Sequence, residues 1–137
     1  MKHLDVVGAI IVFGGKILCM KRGAGKYPCT AYKYEFPGGK IEPGESKTAA
    51  LERELREEMD IQVKIDPANW FWRVEHVYPD FSISMDTYFC YPDSPAFTMK
   101  EHVDAKWLFP SELQSLEWAP ADAELIKKLA EQPLIGW

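Results

Sequence analysis

The sequence is short of cysteine and has no long apolar run, and each shortage excludes a class of protein. The three cysteines, Cys19, Cys29 and Cys90, form no CxxC pair and are odd in number, so they predict no disulfide framework. A reducing cytoplasm is therefore the expected location. The apolar run Val6–Phe13 is shorter than the roughly 18 to 20 residues that cross a bilayer, and we expect no membrane partner.

Positive charge is also in short supply. The 16 Lys and Arg residues face 21 Asp and Glu residues, which gives a formal net charge of -5. Binding to duplex nucleic acid needs a basic face that neutralises phosphates. We therefore expect no duplex nucleic acid partner, and an anionic small molecule only where a cation bridges it to the protein.

Histidine is scarce as well, and His3, His76 and His102 share no metal-ligand spacing. We interpret them as structural or surface residues. The composition is that of a folded globular protein, with 47% hydrophobic and 27% charged residues. The 137 residues fit one domain of common size, so we expect a single domain over residues 1–137, present as a monomer or a homodimer.

Several segments are rich in β-branched and aromatic residues, which favour strands. Residues 6–13 and 16–22, joined by Gly14-Gly15, are typical of a β-hairpin. Later segments with the same character are 61–65, 70–78, 82–91 and 105–110. Together with the helices described next, they predict a mixed sheet packed by helices.

The C-terminal part has helical patterns. Residues 111–116 are predicted to be helical, and so are residues 119–132, which begin near Pro120 and stop at Pro133. The apolar stripe of this last helix consists of Leu125, Ile126 and Leu129.

A central helix is predicted from about Ser46 to about Met59, with Ser46 as its N-cap. Two glycine-containing stretches precede it, PGG at 37–39 and EPGE at 42–45, and both are typical of turns. The buried stripe of the helix consists of Ala50, Leu51, Leu55 and Met59.

The same helix concentrates negative charge. Glu54, Glu57 and Glu58 are three and four residues apart, so they repel each other by a few tenths of a kcal/mol per pair. Arg53 is one partner and cannot offset all of them. Either these glutamates form a solvated helix face, or they bind a hard divalent cation, since Mg²⁺ prefers carboxylate and carbonyl oxygens. Their spacing alone does not decide between the two.

The complete pattern is more specific. Gly39, Glu45, the run Arg53–Glu58 and the pair Asp60–Ile61 closely resemble the Nudix box, G-x5-E-x7-R-E-U-x-E-E-x-G-U with U aliphatic. The departure is Asp60, where the family has glycine. That position falls just past the helix, where a left-handed residue is common and Asp is tolerated. We expect a cost of about 1 kcal/mol at most and no loss of a carboxylate.

The resemblance extends along most of the chain. EFPGGKIEPGE at 35–45, KEHVDAKWL at 100–108 and WAPADAELI at 118–126 are similar to segments of the MutT-like branch of that family. The resemblance implies the Nudix fold, an α/β/α sandwich with a mixed sheet between helices. It also implies a Mg²⁺-dependent nucleoside triphosphate diphosphatase, with Mn²⁺ as a substitute, that yields a nucleoside monophosphate and pyrophosphate.

The resemblance also implies roles for individual residues. The metal ligands would be the Gly39 carbonyl and the side chains of Glu54, Glu57, Glu58 and Glu101. Glu54 is the favoured group to orient or deprotonate the attacking water, with Glu57 and Glu101 as alternatives.

Two further residues of the box have supporting roles in this interpretation. Arg53 would orient the catalytic glutamates rather than bind phosphate. Glu45 either touches a metal or interacts with the positive end of the helix.

Substrate contacts follow less directly. Arg22 and Lys40 are expected near the phosphates or are surface residues, Phe36 beside the base, and Asp122 at its polar edge. Asp122 is alternatively a helix N-terminal acid. An ionised Asp122 would accept hydrogen bonds from an amino group of cytosine or of guanine. The aromatic residues 70–72 either wall the base pocket or pack in the core.

Several functions remain open on the sequence. The substrate is a natural or oxidised nucleoside triphosphate such as 8-oxo-dGTP, which would make the protein a housekeeping or nucleotide pool sanitation enzyme. Alternatively, the protein hydrolyses a nucleotide sugar or a dinucleoside polyphosphate, or it binds nucleotides as a regulator without turnover.

Overall fold

The computed structural model describes residues 1–25 and 28–131, and in these ranges the strands form one mixed sheet. The strands are β1 (Lys2–Phe13), β2 (Lys16–Lys21), β3 (Tyr34–Glu35), β4 (Gly38–Lys40), β5 (Trp70–Val77), β6 (Phe81–Cys90) and β7 (Asp104–Leu108). The helices are α1 (Lys47–Met59) and α2 (Pro120–Ala130), with 3₁₀ helices at Pro67–Asn69 and Pro110–Ser115. The strand order is β3-β2-β1-β6-β5, while β4 also pairs with β1 and β7 with β2.

Strand β1 is the centre of the sheet. It pairs in parallel with β6 over most of its length, from Lys2 opposite Phe81 to Ile11 opposite Cys90. It pairs antiparallel with β2, across the predicted hairpin, and with β4. The predicted mixed sheet is therefore confirmed.

The two helices pack on opposite faces of this sheet, because side chains along a strand alternate between its faces. Val7, Ala9 and Ile11 of β1 belong to the hydrophobic cluster that contains the buried face of α1. Ile10 and Val12 belong to the other cluster, which contains the buried residues of α2. The result is the α/β/α sandwich that the sequence predicts.

Helix α1 begins and ends as predicted. The Ser46 hydroxyl accepts a hydrogen bond from the Ala49 N–H at 3.2 Å, which satisfies a free donor of the first turn. The helix ends at Met59, and Asp60 adopts the left-handed conformation with φ 55°. The buried residues of α1 are Ala50, Leu51, Leu55 and Met59, the stripe expected from the sequence.

The strand prediction for residues 61–65 is wrong. Ile61 and Ile65 are buried, but the segment is extended without a strand partner, and the Ile65 N–H donates to the Glu52 carboxylate at 2.8 Å. Burial against α1 therefore explains the β-branched residues here. The predicted helix at 111–116 is a 3₁₀ helix, Pro110–Ser115.

The turn interpretation of PGG is also wrong. Gly38 and Gly39 lie in β4, opposite Gly8 and Val7 of β1, and only Gly44 of the following EPGE stretch has a positive φ, 83°. A Cβ on Gly38 would lie 1.9 Å from the Val7 carbonyl oxygen. Glycine is needed at position 38 for close approach of two backbones rather than for a turn.

Helix α2 starts at Pro120 as predicted, and Leu125, Ile126 and Leu129 are buried. The predicted stop at Pro133 lies outside the described residues. Within the ranges that the structure describes, no helix is long and apolar enough to span a membrane.

Candidate active site

The carboxylate of Glu54 rests directly on the backbone of Gly39. Strand β4 runs beside α1, and a Cβ added to Gly39 would lie 2.4 Å from Glu54 Cδ, far inside van der Waals contact. Any residue larger than glycine would therefore displace this carboxylate. Gly39 and Glu54 of the Nudix-like pattern, 15 positions apart in the sequence, meet in space at this point.

Arg53 connects several of the glutamates. Its Nε donates to Glu45 Oε2 at 2.7 Å and its Nη1 to Glu54 Oε1 at 2.9 Å. Nη1 also reaches Glu57 Oε2 at 3.2 Å, and Nη2 donates to the Lys40 carbonyl oxygen at 3.0 Å. Hydrogen bonds with Glu45 and Glu54 raise the pKa of Arg53. The guanidinium thus fixes carboxylates on both sides of the turn before α1.

Glu45 is held by this arginine. Both of its carboxylate oxygens accept from Arg53, at 2.7 and 3.0 Å, and Oε1 also accepts from the Glu42 N–H at 2.9 Å. The hydrogen bonds from Arg53, and then that from Glu42, lower the pKa of Glu45. Its carboxylate oxygens are occupied by these contacts.

Glu58 has a perturbed acidity. Burial, a hydrogen bond with Glu54, and the negative charges of Glu54, Glu101 and Glu35 raise the pKa of Glu58 to about 8. We call these four residues the carboxylate cluster. They come from β3, α1 and the loop before β7, so the fold gathers negative charge from three parts of the chain.

The donor set of this cluster fits a hard divalent cation. Among the described residues, no three His, Cys, Asp or Glu side chains already stand in a metal-ligand arrangement. However, burial and the negative charges of Glu54, Glu101 and Glu35 raise the pKa of Glu58, as expected for carboxylates that repel each other. A cation would relieve this repulsion, and oxygen ligands are those that Mg²⁺ prefers.

A cavity of about 520 Å³ runs from the carboxylate cluster toward α2. At one end it is lined by Gly39, Lys40, Glu58 and Glu101, which we call the cluster end. At the other end, which we call the buried end, it is lined by Phe36, Tyr78, Phe81, Ile83 and Asp122. One cavity therefore contains most of the residues predicted from the sequence, whereas Glu54 and Glu57 lie outside its lining.

Basic residues line the same cavity. Arg22 donates from Nη1 to Glu35 Oε1 at 3.1 Å, and its Nε is buried without a hydrogen-bond partner in the described part of the chain. Lys40 is exposed at the rim.

Asp122 lies in the first turn of α2 and is 6% exposed. Its Oδ1 accepts from the Phe36 N–H at 3.0 Å. Burial and the charge of Glu35 raise the pKa of Asp122 to about 8, against the opposing effects of Phe36 N–H and Arg22. Burial and Glu35 thus favour the neutral carboxyl of Asp122, whereas the interpretation from the sequence considered its ionised form.

Sequence reasoning missed two residues of the cavity. The side chain of His102 is 7% exposed, and its Nε2 lies 2.9 Å from Glu35 Oε2. The interpretation of His102 as a structural or surface residue thus overlooked its place in the cavity wall. Glu35 connects His102, Arg22 and, through its charge, both Glu58 and Asp122. Its position as the first residue of EFPGGK was the available signal.

Of the aromatic residues 70–72, Phe71 packs against the core, whereas the two tryptophans fit neither alternative. Trp70 is 47% exposed and Trp72 is 40% exposed, and neither lines the cavity described above. Trp70 Nε1 donates to Asp86 at 2.9 Å, and Lys128 lies over the Trp72 ring at 4.4 Å. The inward-facing Phe71 lies between two exposed tryptophans, so the alternation predicted for this strand is confirmed at these three positions.

Comparison with known proteins defines the class. A family model described as NUDIX domain matches residues 2–129, which include the carboxylate cluster, the cavity and both helices up to Leu129. The chain belongs to the Nudix family. It is a Nudix pyrophosphohydrolase that acts on phosphoanhydride bonds of nucleotides, and such hydrolases generally use divalent metals, typically Mg²⁺.

Two curated relatives come from Escherichia coli strain K12. A CTP pyrophosphohydrolase is 34% identical over 137 residues, covering 93% of this chain and 91% of the relative. An 8-oxo-dGTP diphosphatase is 33% identical over 132 residues, covering 94% and 98%. Among solved structures, a MutT protein of the Nudix hydrolase family from methicillin-resistant Staphylococcus aureus 252 is 37% identical with a TM-score of 0.71, covering 94% of this chain and 97% of that one.

Proposed function

We propose that the protein is a Mg²⁺-dependent nucleoside triphosphate diphosphatase that converts a natural or modified nucleoside triphosphate to its monophosphate and pyrophosphate. The observation that carries this proposal is the continuous cavity of about 520 Å³, with carboxylates at the cluster end and Phe36 and Asp122 at the buried end. The cluster end suits cation-bound phosphates, and the buried end suits a planar base. A nucleotide spanning both ends would place its phosphates at the carboxylates.

The proposed metal ligands are the Gly39 carbonyl oxygen and the side chains of Glu54, Glu57, Glu58 and Glu101. Bound Mg²⁺, or Mn²⁺ in its place, would neutralise phosphate charge and lower the pKa of the attacking water. Arg22 and Lys40 line the cavity and would contact the phosphates. Their positive charge matters because the chain as a whole has a net charge of -5, which repels a polyanion.

Glu54 is the proposed group that orients and deprotonates the attacking water. Its carboxylate is fixed by Arg53 at 2.9 Å and rests on Gly39. Glu57 is held less firmly, because its side chain is 58% exposed and its contact with Arg53 is longer, at 3.2 Å. Catalysis benefits from a fixed base, since small misplacements of a reacting group slow the reaction.

The acidity of Asp122 suggests which base the cavity selects. A protonated carboxyl donates one hydrogen bond and accepts another, which matches the ring nitrogen and amino group of cytosine or adenine. An ionised carboxylate only accepts, which matches the two neighbouring donors of guanine. Because burial and Glu35 raise the pKa of Asp122 to about 8, we propose a cytosine nucleotide as the substrate, as the name of the CTP pyrophosphohydrolase relative also suggests.

The first experiment is Mg²⁺-dependent pyrophosphate release from the natural nucleoside triphosphates, modified dCTPs, 8-oxo-dGTP, an ADP-sugar and a dinucleoside polyphosphate. Preferential cleavage of one triphosphate would support the proposed reaction. Activity on the sugar or dinucleotide alone would replace it by another Nudix reaction, and silence on the whole panel would favour a nucleotide-binding regulator.

The pH dependence tests the role of Asp122. The ratio of kcat/KM for CTP to that for a guanine triphosphate should fall as the pH rises through about 8, since ionisation removes the donor. The charged or titratable groups around Asp122 are Glu35, Arg22 and Tyr78. Asp122→Asn cannot titrate, so its ratio should stay constant over the same range. A ratio that changes equally in both proteins would reject Asp122 as the selecting group.

A further inference from the structure

Asp60, the single residue that departs from the Nudix pattern, makes contacts that glycine cannot make. Its Oδ1 accepts from Lys100 Nζ at 2.8 Å, and Thr98 also hydrogen-bonds to its carboxylate. Asp60 follows the last turn of α1, and Lys100 lies 40 positions later in the loop before β7. The side chain therefore connects the end of the catalytic helix to a distant loop.

Two backbone contacts support the same connection. The Thr98 N–H donates to the Met59 carbonyl oxygen at 2.9 Å, and Lys100 Nζ also donates to the Glu57 carbonyl oxygen at 3.3 Å. These carbonyl groups belong to the last turn of α1, which lacks helical partners. A cation there is also favoured by the negative end of the helix. The loop is thus attached to α1 by both backbone and side-chain contacts at residues 98 and 100.

Glu101 is the next residue along this loop. It lines the cavity, and its charge acts on Glu58 of the carboxylate cluster. Its own side chain is exposed, and its backbone is positioned by the contacts of Thr98 and Lys100 before it and by those of His102 and Val103 after it. We infer that Asp60 is a positioning residue that, through Lys100, holds Glu101 at the cluster end of the cavity; this inference rests on the proposed metal role of Glu101.

Stability does not explain the presence of Asp60. The side chains of Lys100 and Asp60 are 43% and 53% exposed, and such ion pairs contribute little to folding. The φ of 55° at Asp60 would suit glycine better. Replacing Asp60 by glycine should therefore leave the thermal midpoint unchanged or raise it, while metal affinity falls. A residue with only a structural role would lower both together.

The test is the affinity for Mn²⁺, measured by electron paramagnetic resonance on the protein without nucleotide. Asp60→Gly, Asp60→Asn and Lys100→Met should each raise the Kd for Mn²⁺ about two- to fivefold, the range expected for an exposed ion pair. Lys100→Arg should retain the wild-type affinity, because the charge remains. Lys106→Met is the matched control, since its exposed ammonium lies 3.9 Å from Asp104 outside this connection.

The same substitutions in a Glu101→Gln background separate the positioning role of Asp60 from the metal-binding role of Glu101. If Asp60 acts through Glu101, Asp60→Asn should have no further effect on Mn²⁺ affinity in that background. Equal losses in both backgrounds, or no loss in the wild-type background, would overturn the role of Asp60 alone. If Glu101→Gln itself leaves Mn²⁺ affinity unchanged, Glu101 is not a metal ligand. That result would remove Glu101 from the proposed metal site and would also reject the inference about Asp60.

Discussion

At the scale of single residues, Arg53 and its neighbours determine which carboxylates are free for chemistry. Arg53 occupies both oxygens of Glu45 but only one oxygen of Glu54. Glu54 therefore keeps one carboxylate oxygen that Arg53 does not contact, beside Gly39 and Glu58. Arg53 therefore restricts Glu45, which precedes α1, more than it restricts Glu54 within the helix.

The first prediction concerns Glu54 and Glu57. Replacing either by Gln removes a charge without changing its volume much, so both variants should fold and lose most turnover, about 100-fold or more for Glu54. Steady-state kinetics and circular dichroism check the two parts. Glu124→Gln, an exposed change on α2, is the control. Rates close to wild type in both variants would mean that the metal assignment is wrong.

Gly39 offers a second prediction. A Cβ at this position meets the end of the Glu54 side chain, which can move, so Gly39→Ala should fold normally. The displaced carboxylate should lower kcat by about 10- to 100-fold. Gly44→Ala is the opposite case, because its φ of 83° strains alanine while no atom lies within 4 Å of the new Cβ. It should lose about 1 kcal/mol of stability and keep its kcat. Unchanged kcat in Gly39→Ala would reject the proposed placement of Glu54.

At the scale of elements, a buried carboxylate fastens α1 to the sheet. Asp86 of β6 is 3% exposed. It accepts from Lys47 Nζ at 2.9 Å and Trp70 Nε1 at 2.9 Å, and from Arg73 Nη1 at 2.6 Å. Burial raises the pKa of Asp86, but the hydrogen bonds and positive charges of these partners outweigh it, so the pKa lies below its usual value. Since Lys47 is the first residue of α1, Asp86 links that helix to β5 and β6.

Asp86→Asn should therefore destabilise the protein by about 1.5 to 3 kcal/mol, the usual value of a hydrogen bond to a charged group. Urea unfolding measures the change. Asp93→Asn, an exposed substitution, should stay within about 0.5 kcal/mol of wild type. If Asp86→Asn also lost no more than about 0.5 kcal/mol, other contacts would hold α1 in place.

The elements that the sequence predicts well are those with local signals. Helix α1 has a cap, an apolar stripe and a stop within its own segment, so its bounds follow from Ser46 and Met59. Strand β4 has no such signal, because Gly38 is selected by the Val7 backbone 31 positions away. Likewise, Ile61 and Ile65 have strand-like side chains, but their backbone partners are not in a strand.

The site follows the same division. The glutamates of α1 belong to one local motif and could be assigned together, whereas their grouping with Glu35 depends on how β3 lies in the fold. The protonation of Asp122 depends on burial by distant segments, and no pattern in the residues around position 122 encodes it. The grouping of residues within one motif is therefore predictable, whereas the acidity of a group buried by distant segments is not.

At the scale of the whole molecule, the net charge is -5, and the carboxylate cluster adds local repulsion between negative charges. Without a bound cation, this repulsion destabilises the folded protein. Mg²⁺ that binds only the folded chain should stabilise it, by about 2.7 kcal/mol at 100 times its Kd. A thermal melt with and without Mg²⁺ measures this, and chelation by EDTA should abolish turnover. Glu58→Gln should reduce the gain. A shift no larger than that of NaCl at equal ionic strength would contradict a specific site.

The pairing of β1 with β6 also has consequences before the protein is complete. Paired residues such as His3 and Ser82 lie 79 positions apart, and contacts of such high sequence separation slow folding. At about 5 to 20 residues per second, the ribosome needs several seconds to add these positions. During that time β1, which is apolar on both faces, is without its longest partner strand. The strand that organises the finished site is therefore the segment that most needs protection from aggregation during synthesis.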